Sequence, residues 1–148
     1  MAADLVEQLV AAVRTALLPL VPATVLSVER ARVDAIAREE CPCIELAIVS
    51  ESADLATVQG DIHEATVVLA VAIHVHGGTG TWETVANALA VTAHPLILGV
   101  TLPAGVVELA GPTGRQWVAA PGDGRPAYLA MSYQATVFRQ AAALDAAP

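Results

Sequence analysis

The clearest pattern of apolar and polar positions runs over residues 61–93. Val67, Leu69, Val71, Ile73 and Val75 alternate with Val68, Ala70, Ala72, His74 and His76. A strand points successive side chains to opposite faces, so the first set makes a large apolar face and the second a smaller, more polar one. Past Gly77-Gly78-Thr79-Gly80 the period changes. Trp82, Val85, Ala86, Leu89 and Ala93 recur at three and four, which is one face of a helix. A strand this apolar belongs at the centre of a sheet, and the helix needs that sheet to cover its stripe.

The rest of the chain supplies elements to pack around this pair. Asp4 with Glu7 reads as a capping-box-like helix start. Leu5, Leu9, Val13, Ala16, Leu17 and Leu20 then keep helical spacing until Pro19 and Pro22 end the helix. Residue type favours a strand over 24–28, and residues 29–40 read as a strand end and a charged loop. Ile44, Leu46 and Ile48 alternate with Glu45, Ala47 and Val49, a strand with one buried face. Residues 50–60 read as a polar, acidic loop before the strand at 61–76. Residues 95–105 read as an irregular apolar connection and 106–109 as a short strand. Gly111-Pro112-Thr113-Gly114 is a turn by composition, with 116–119 as the partner strand. A second turn at 121–124 leads to a last long strand over 128–139, with Leu129, Met131, Tyr133 and Val137 on one face. Residues 141–148 are Ala-rich and are expected to fray as a disordered tail. Strands in runs between two helices predict an α+β fold: a mostly antiparallel β-sheet with two α-helices packed on one face, as one domain over residues 1–140.

Composition changes this picture in two ways. Of the 148 residues 55% are hydrophobic but only 3% aromatic, so the core must be built from Val, Leu, Ile and Ala. The chain has no lysine; its seven basic residues are all arginine, and its net charge is −8. From Glu39 to Glu108 there are nine carboxylates and no arginine, while the arginines cluster at Arg30, Arg32 and Arg38 and at Arg115, Arg125 and Arg139. Such segregation argues against a surface that grips nucleic acid, which needs clustered cations. It suits a surface past which nucleic acid slides without sticking. An N-terminus holding Asp4 and Glu7 with no basic region does not read as a signal peptide. The uncharged stretch 84–107 is long enough to span a bilayer, yet it contains Asn87, His94, Pro95 and Pro103 and begins with a one-sided stripe, so no membrane partner is expected.

Candidate chemistry is sparse. The glycine-rich turn between strand and helix lacks the lysine of a P-loop. It also carries Glu83 where the third glycine of a dinucleotide fingerprint belongs, and a carboxylate there repels a pyrophosphate. His74 and His76 share a strand face at a spacing that can share a metal; His63 falls on the opposite face. Only the fold could bring Glu64 or His94 as a third ligand, and zinc catalytic sites need three, so no metal ligand and no cofactor is assigned. Cys41 and Cys43 flank one proline, a spacing poor for a mutual disulfide and too few ligands for structural zinc; they read as two small half-buried thiols of a reducing compartment. No serine sits in a nucleophile elbow, neither cysteine has a neighbouring histidine, and Glu39-Glu40 reads as a solvated pair. The expectation is a protein with no catalytic residues, not an enzyme. Trp82 can anchor the second helix. Trp117 is a possible partner anchor on a hairpin, unless it packs on its own domain.

Four pieces in order resemble a known family. They are the first helix leading to Val28-Glu29-Arg30-Ala31-Arg32; Glu40-Cys41-Pro42-Cys43-Ile44-Glu45-Leu46, a lead into a strand; the long strand with the helix at 82–93, ending His94-Pro95-Leu96; and Asp123-Gly124-Arg125-Pro126 before Leu129-Ala130-Met131-Ser132-Tyr133-Gln134-Ala135-Thr136, a closing Tyr-x-x-Thr strand. Over residues 4–139 the chain resembles the minor tail, or tail terminator, proteins of long-tailed bacteriophages of the lambda type. The resemblance implies a structural virion protein that takes part in tail assembly. It would form a hexameric ring on the head-proximal end of the viral tail, cap the tube, end its polymerisation and offer the head-joining surface. Its partners would be its own copies, the tail tube protein and a head completion or connector protein, with DNA passing through unbound. It would reside in the virion tail, and in host cytoplasm during assembly. Separated positive and negative groups suit head-to-tail contacts, which close into rings. Arg30, Arg32 and Arg38 are candidates for one edge of that contact, and Glu51 and Asp54 for the other. Two other classes remain: another head–tail connector or neck component, and a small metal- or ligand-binding module using His74 and His76.

Overall fold

In a computed structural model that describes residues 4–32, 34–54, 62–76, 81–119, 126–140 and 147, the chain runs α1 (Leu5–Leu17), β1 (Ser27–Arg30), β2 (Cys43–Asp54), β3 (Ile62–Val75), α2 (Trp82–Leu98), β4 (Val106–Val118) and β5 (Ala127–Gln140). Short 3-10 turns lie at Leu18–Leu20 and Arg38–Glu40. Residues 55–60 of the acidic loop, the glycine-rich turn at 77–80, the second turn at 121–124 and residues 141–146 and 148 of the tail lie outside the described residues.

The strands form one sheet in the order β1-β2-β3-β5-β4. All pairs are antiparallel except β1 with β2, which is parallel. The fold is therefore α+β with a mixed, mostly antiparallel sheet. The apolar strand of the sequence is the central one. Ala65, Val67, Leu69, Val71, Ile73 and Val75 of β3 are buried on one face, beside Ala127, Leu129, Met131, Tyr133, Ala135 and Val137 of β5. Both helices close this face. The helix α1 buries Leu5, Val6, Leu9, Val10, Val13 and Leu17, and Arg14 Nε donates to the Val28 carbonyl at 2.9 Å. Asp4 caps the helix, its Oδ1 accepting from Val6 N at 2.7 Å, which satisfies an otherwise orphaned donor. Glu7 does not complete a capping box; it pairs with Arg30 of β1 at 2.9 Å. Tyr133, the largest fully buried side chain, stands on the sheet beneath α2, its hydroxyl 2.7 Å from His94 Nδ1.

Three local expectations need correction. The anticipated hairpin over residues 106–119 is one continuous strand, and both of its halves pair with β5. Ala110 faces Gln134 and Gly114 faces Ser132, so four steps on β4 match two on β5, and the bulge absorbs two extra residues. Gly111 makes the bulge possible: its φ is +142°, and a Cβ there would stand 3.1 Å from the Ser132 carbonyl oxygen. Second, α2 continues through Pro95 to Leu98. The carbonyl four residues before Pro95 belongs to Val91, a residue 67% exposed, so water can take the hydrogen bond the proline cannot give. Third, residues 50–54 are strand rather than loop, extending β2 alongside β3 as far as Asp54↔Glu64.

Candidate assembly surfaces

The helix α2 is apolar on two opposite sides. Its inner side buries Ala86, Ala90, Ala93 and Ile97. Its outer side carries Thr84, Ala88, Val91, Pro95 and Leu98, all exposed, at successive intervals of four, three, four and three. Val85 also stands in solvent, and no charge occurs between Glu83 and Glu108. A helix apolar all round is one whose second side is normally covered. At its N-terminal end α2 meets the far end of β4. The rings of Trp82 and Trp117 are 6.1 Å apart, and the Arg115 guanidinium lies 5.8 Å from the Trp117 ring centroid and 3.4 Å from Asn87 Oδ1. Trp117 is thus on a long strand rather than a hairpin tip. It packs on its own domain and still exposes 39% of its surface.

The residues expected at a charged contact lie toward the opposite edge of the sheet, on and around β1 and β2. Arg30 is opposite Leu46 of β2, and Glu51 lies five residues further along the same strand. Within one chain most of these groups already have partners. Arg30 pairs with Glu7 at 2.9 Å and Arg32 with Glu40 at 2.5 Å, all four side chains well exposed. That contact pulls the Glu40 carboxyl below its ordinary range and raises the Arg32 guanidinium. Glu51 pairs with Arg139, whose side chain is only 10% exposed and whose Nη1 is buried without a partner. Arg38 is exposed on the short turn and forms no ion pair among the described residues. Asp54 ends β2; its side chain lies outside the described residues. Sequence reasoning missed Arg139–Glu51 because the partners are 88 positions apart.

Histidines do not converge. His74 lies on the sheet face away from the helices, beside a cleft that Arg32, Asp34 and Ile36 also line, and His76 is exposed. His94 is on the other side of the sheet, bound to Tyr133. Glu64 shares the His74 face but stands ten residues along β3, about 33 Å away. Among the described residues no three His, Cys, Asp or Glu side chains could hold a metal ion. Instead His74 lies beside Glu45, Nε2 to Oε1 3.7 Å, and against the Tyr128 ring at 5.1 Å. Both ring nitrogens are buried without a hydrogen bond, and burial pushes the imidazole below its ordinary pKa against the pull of Glu45. An open cleft of about 420 Å³ adjoins it, lined also by Arg32, Asp34, Ile36 and Pro126. Cys41 and Cys43 are free and buried beside this end of the sheet, more deeply than the sequence suggests.

No helix among the described residues is long and apolar enough to cross a membrane; the uncharged stretch forms α2 and the connection after it. Compared with known proteins, the chain matches no family model and no curated sequence.

Proposed function

We propose that the chain is a structural, non-enzymatic subunit that assembles with its own copies into a ring on the head-proximal end of a phage tail tube, ending polymerisation and providing the head-joining surface. The particular family rests on the order of sequence pieces that resemble lambda-type tail terminators; the α+β architecture is compatible with it. The observation that carries the assembly reading is the outer stripe of α2. Each copy carries a net charge of −8, so copies repel wherever carboxylates face each other. The uncharged stripe from Thr84 to Leu98 is a surface through which two such copies can touch without that cost. An acidic ring also keeps DNA moving through its hole instead of holding it.

The test is particle mass by light scattering over a range of concentrations, with negative-stain images of the same samples. The expected particle is a ring with a central hole at about six times the 15.2 kDa chain mass. Val91→Glu puts a charge at the centre of the stripe on a side chain already 67% exposed, so monomer stability should change by less than about 0.5 kcal/mol while assembly is lost. Equal masses for wild type and Val91→Glu at every concentration would remove α2 from the contact. Binding to capsid portals but not to tail tubes would point to a different neck component.

A further inference from the structure

The cleft beside His74 is built from separate parts of the chain. Cys43, His74 and Tyr128 stand in register across β2, β3 and β5, and Glu45 is two residues on from Cys43, so Glu45, His74 and Tyr128 share one face of the sheet. Arg32, Asp34 and Ile36 line the cleft from the return between β1 and β2, and Pro126 from just before β5. His74 keeps only 9% of its surface exposed, yet neither ring nitrogen has a hydrogen-bond partner. A neutral imidazole carries one donor and one acceptor, and leaving either buried and unmatched is costly. Glu45 Oε1, 3.7 Å from Nε2, is too distant to be that partner. We propose that this cleft is a binding site for a primary ammonium group on an alkyl stem, the chemistry of a free alkyl amine or of a lysine side chain.

The charges favour a cation. Arg32 is held by Glu40 at 2.5 Å, and among the described residues neither Asp34 nor Glu45 meets an arginine. Burial holds the imidazole below its ordinary pKa, so near neutral pH it is uncharged and has a lone pair to offer. An ammonium has three donors, and Asp34, Glu45 and His74 supply acceptors from three segments around one cleft. The Tyr128 ring, 5.1 Å from the imidazole, presents a π face to the same charge, while Ile36 and Pro126 cover an alkyl stem. Both nitrogens of His74 are buried, so its exposed surface is carbon; a half-turn about the Cβ–Cγ bond exchanges ring carbons for nitrogens and brings a lone pair to the ligand. At about 420 Å³ the cleft has room for the stem as well as the head group. A divalent metal would lack a third ligand among the described residues. This chain has no lysine, so a lysine seated here belongs to a different protein and not to another copy.

The full chain at low salt is titrated with butylamine, N-acetyl-lysine methylamide, tetramethylammonium and acetate. The His74 ring proton is followed by NMR and identified by its proximity to the Tyr128 ring. The other groups facing His74 that titrate are Asp34, Glu45, Cys43 and Tyr128, with Arg32 a fixed charge. The expected result is saturable binding of both amines, with His74 titrating at a pH lower by about one unit when the cleft is filled, because a bound cation opposes protonation. Tighter binding of butylamine assigns the site to a free amine, and tighter binding of the lysine derivative to a partner's side chain. Glu45→Gln should weaken both amines about tenfold while circular dichroism stays that of the folded chain. Equal binding of tetramethylammonium, which has no N–H to donate, binding of acetate in place of the amines, or a His74 titration that neither amine moves would each overturn the proposal. The wild-type titration does not depend on how any variant folds, nor on whether the ring forms.

Discussion

Tyr133 offers a test of the core that the composition of this chain makes unusually clean. Its ring is fully buried between β5 and α2, and its hydroxyl meets His94 Nδ1 at 2.7 Å. Burial disfavours the phenolate and raises the pKa from 10.0 to about 12. The sign follows from proton binding: between these values the unfolded chain has lost the tyrosine proton and the folded chain keeps it. Stability is therefore intact below about pH 10 and falls as pH rises toward about 12. Two pH units at 1.36 kcal/mol each give about 2.7 kcal/mol in total, and about 1.4 kcal/mol is gone by pH 11. The chain has no lysine and only two tyrosines; the Cys43 thiol, also pushed up in the folded state, lowers stability over part of the same range in both proteins, so the difference between wild type and variant is what reports Tyr133. Tyr133→Phe removes the ionisation and keeps the ring. Urea unfolding of both proteins at about pH 8 and about pH 11 should show the variant weaker by about 1 kcal/mol at the lower pH, from the lost hydrogen bond. At the higher pH the variant should equal or exceed the wild type. The same alkaline loss in both proteins, or tyrosinate absorbance showing both tyrosines titrating together near 10, would refute the burial argument.

Other perturbations probe different parts of the molecule. Glu51→Gln strands the buried Arg139 charge and should cost about 2 kcal/mol in urea unfolding, less than a fully buried pair because Glu51 is partly exposed; replacing both residues with Leu and Met should cost less than the single change. His74 is depressed in the folded state, so its contribution is present above about 6.5 and lost as pH falls through that value; His74→Phe should flatten the acid side of the stability profile there, measured by thermal unfolding. Reversing Arg30 and Arg32 to Glu breaks two exposed pairs that water and salt screen, so the monomer should stay folded by circular dichroism while ring mass disappears; normal assembly would take these arginines out of the contact.

The elements legible in the sequence are those whose pattern and environment agree. Alternation over β3 and β5 is regular because one face lies under two helices and the other is only partly covered, so a period of two reports burial directly until His74. The cap at Asp4 marks α1 because a short carboxylate there has a local donor to satisfy. Gly111-Pro112-Thr113-Gly114 misleads because turn residues also build bulges, and only pairing along β5 distinguishes them. Pro95 misleads because its missing donor falls on the wet side of α2. Ser50, Glu51 and Ser52 look like loop because the hairpin of β2 and β3 runs on with polar side chains. The parallel pairing of β1 depends on a long return through residues 31–42 that no short pattern encodes. Cys41, Cys43 and the unpartnered imidazole of His74 are buried at this end of the sheet, which spacing along the chain does not show. The outer stripe of α2 was readable as an uncharged run, but a sequence does not say which of two apolar sides the core takes.

The most direct measurement of the central claim is electron microscopy of tail tubes polymerising from purified tube protein, with and without this chain. The expected result is ring density on one end of each tube, with growth arrested at that end and the arrest lost on Val91→Glu. Bare ends and an unchanged length distribution at saturating protein would contradict it.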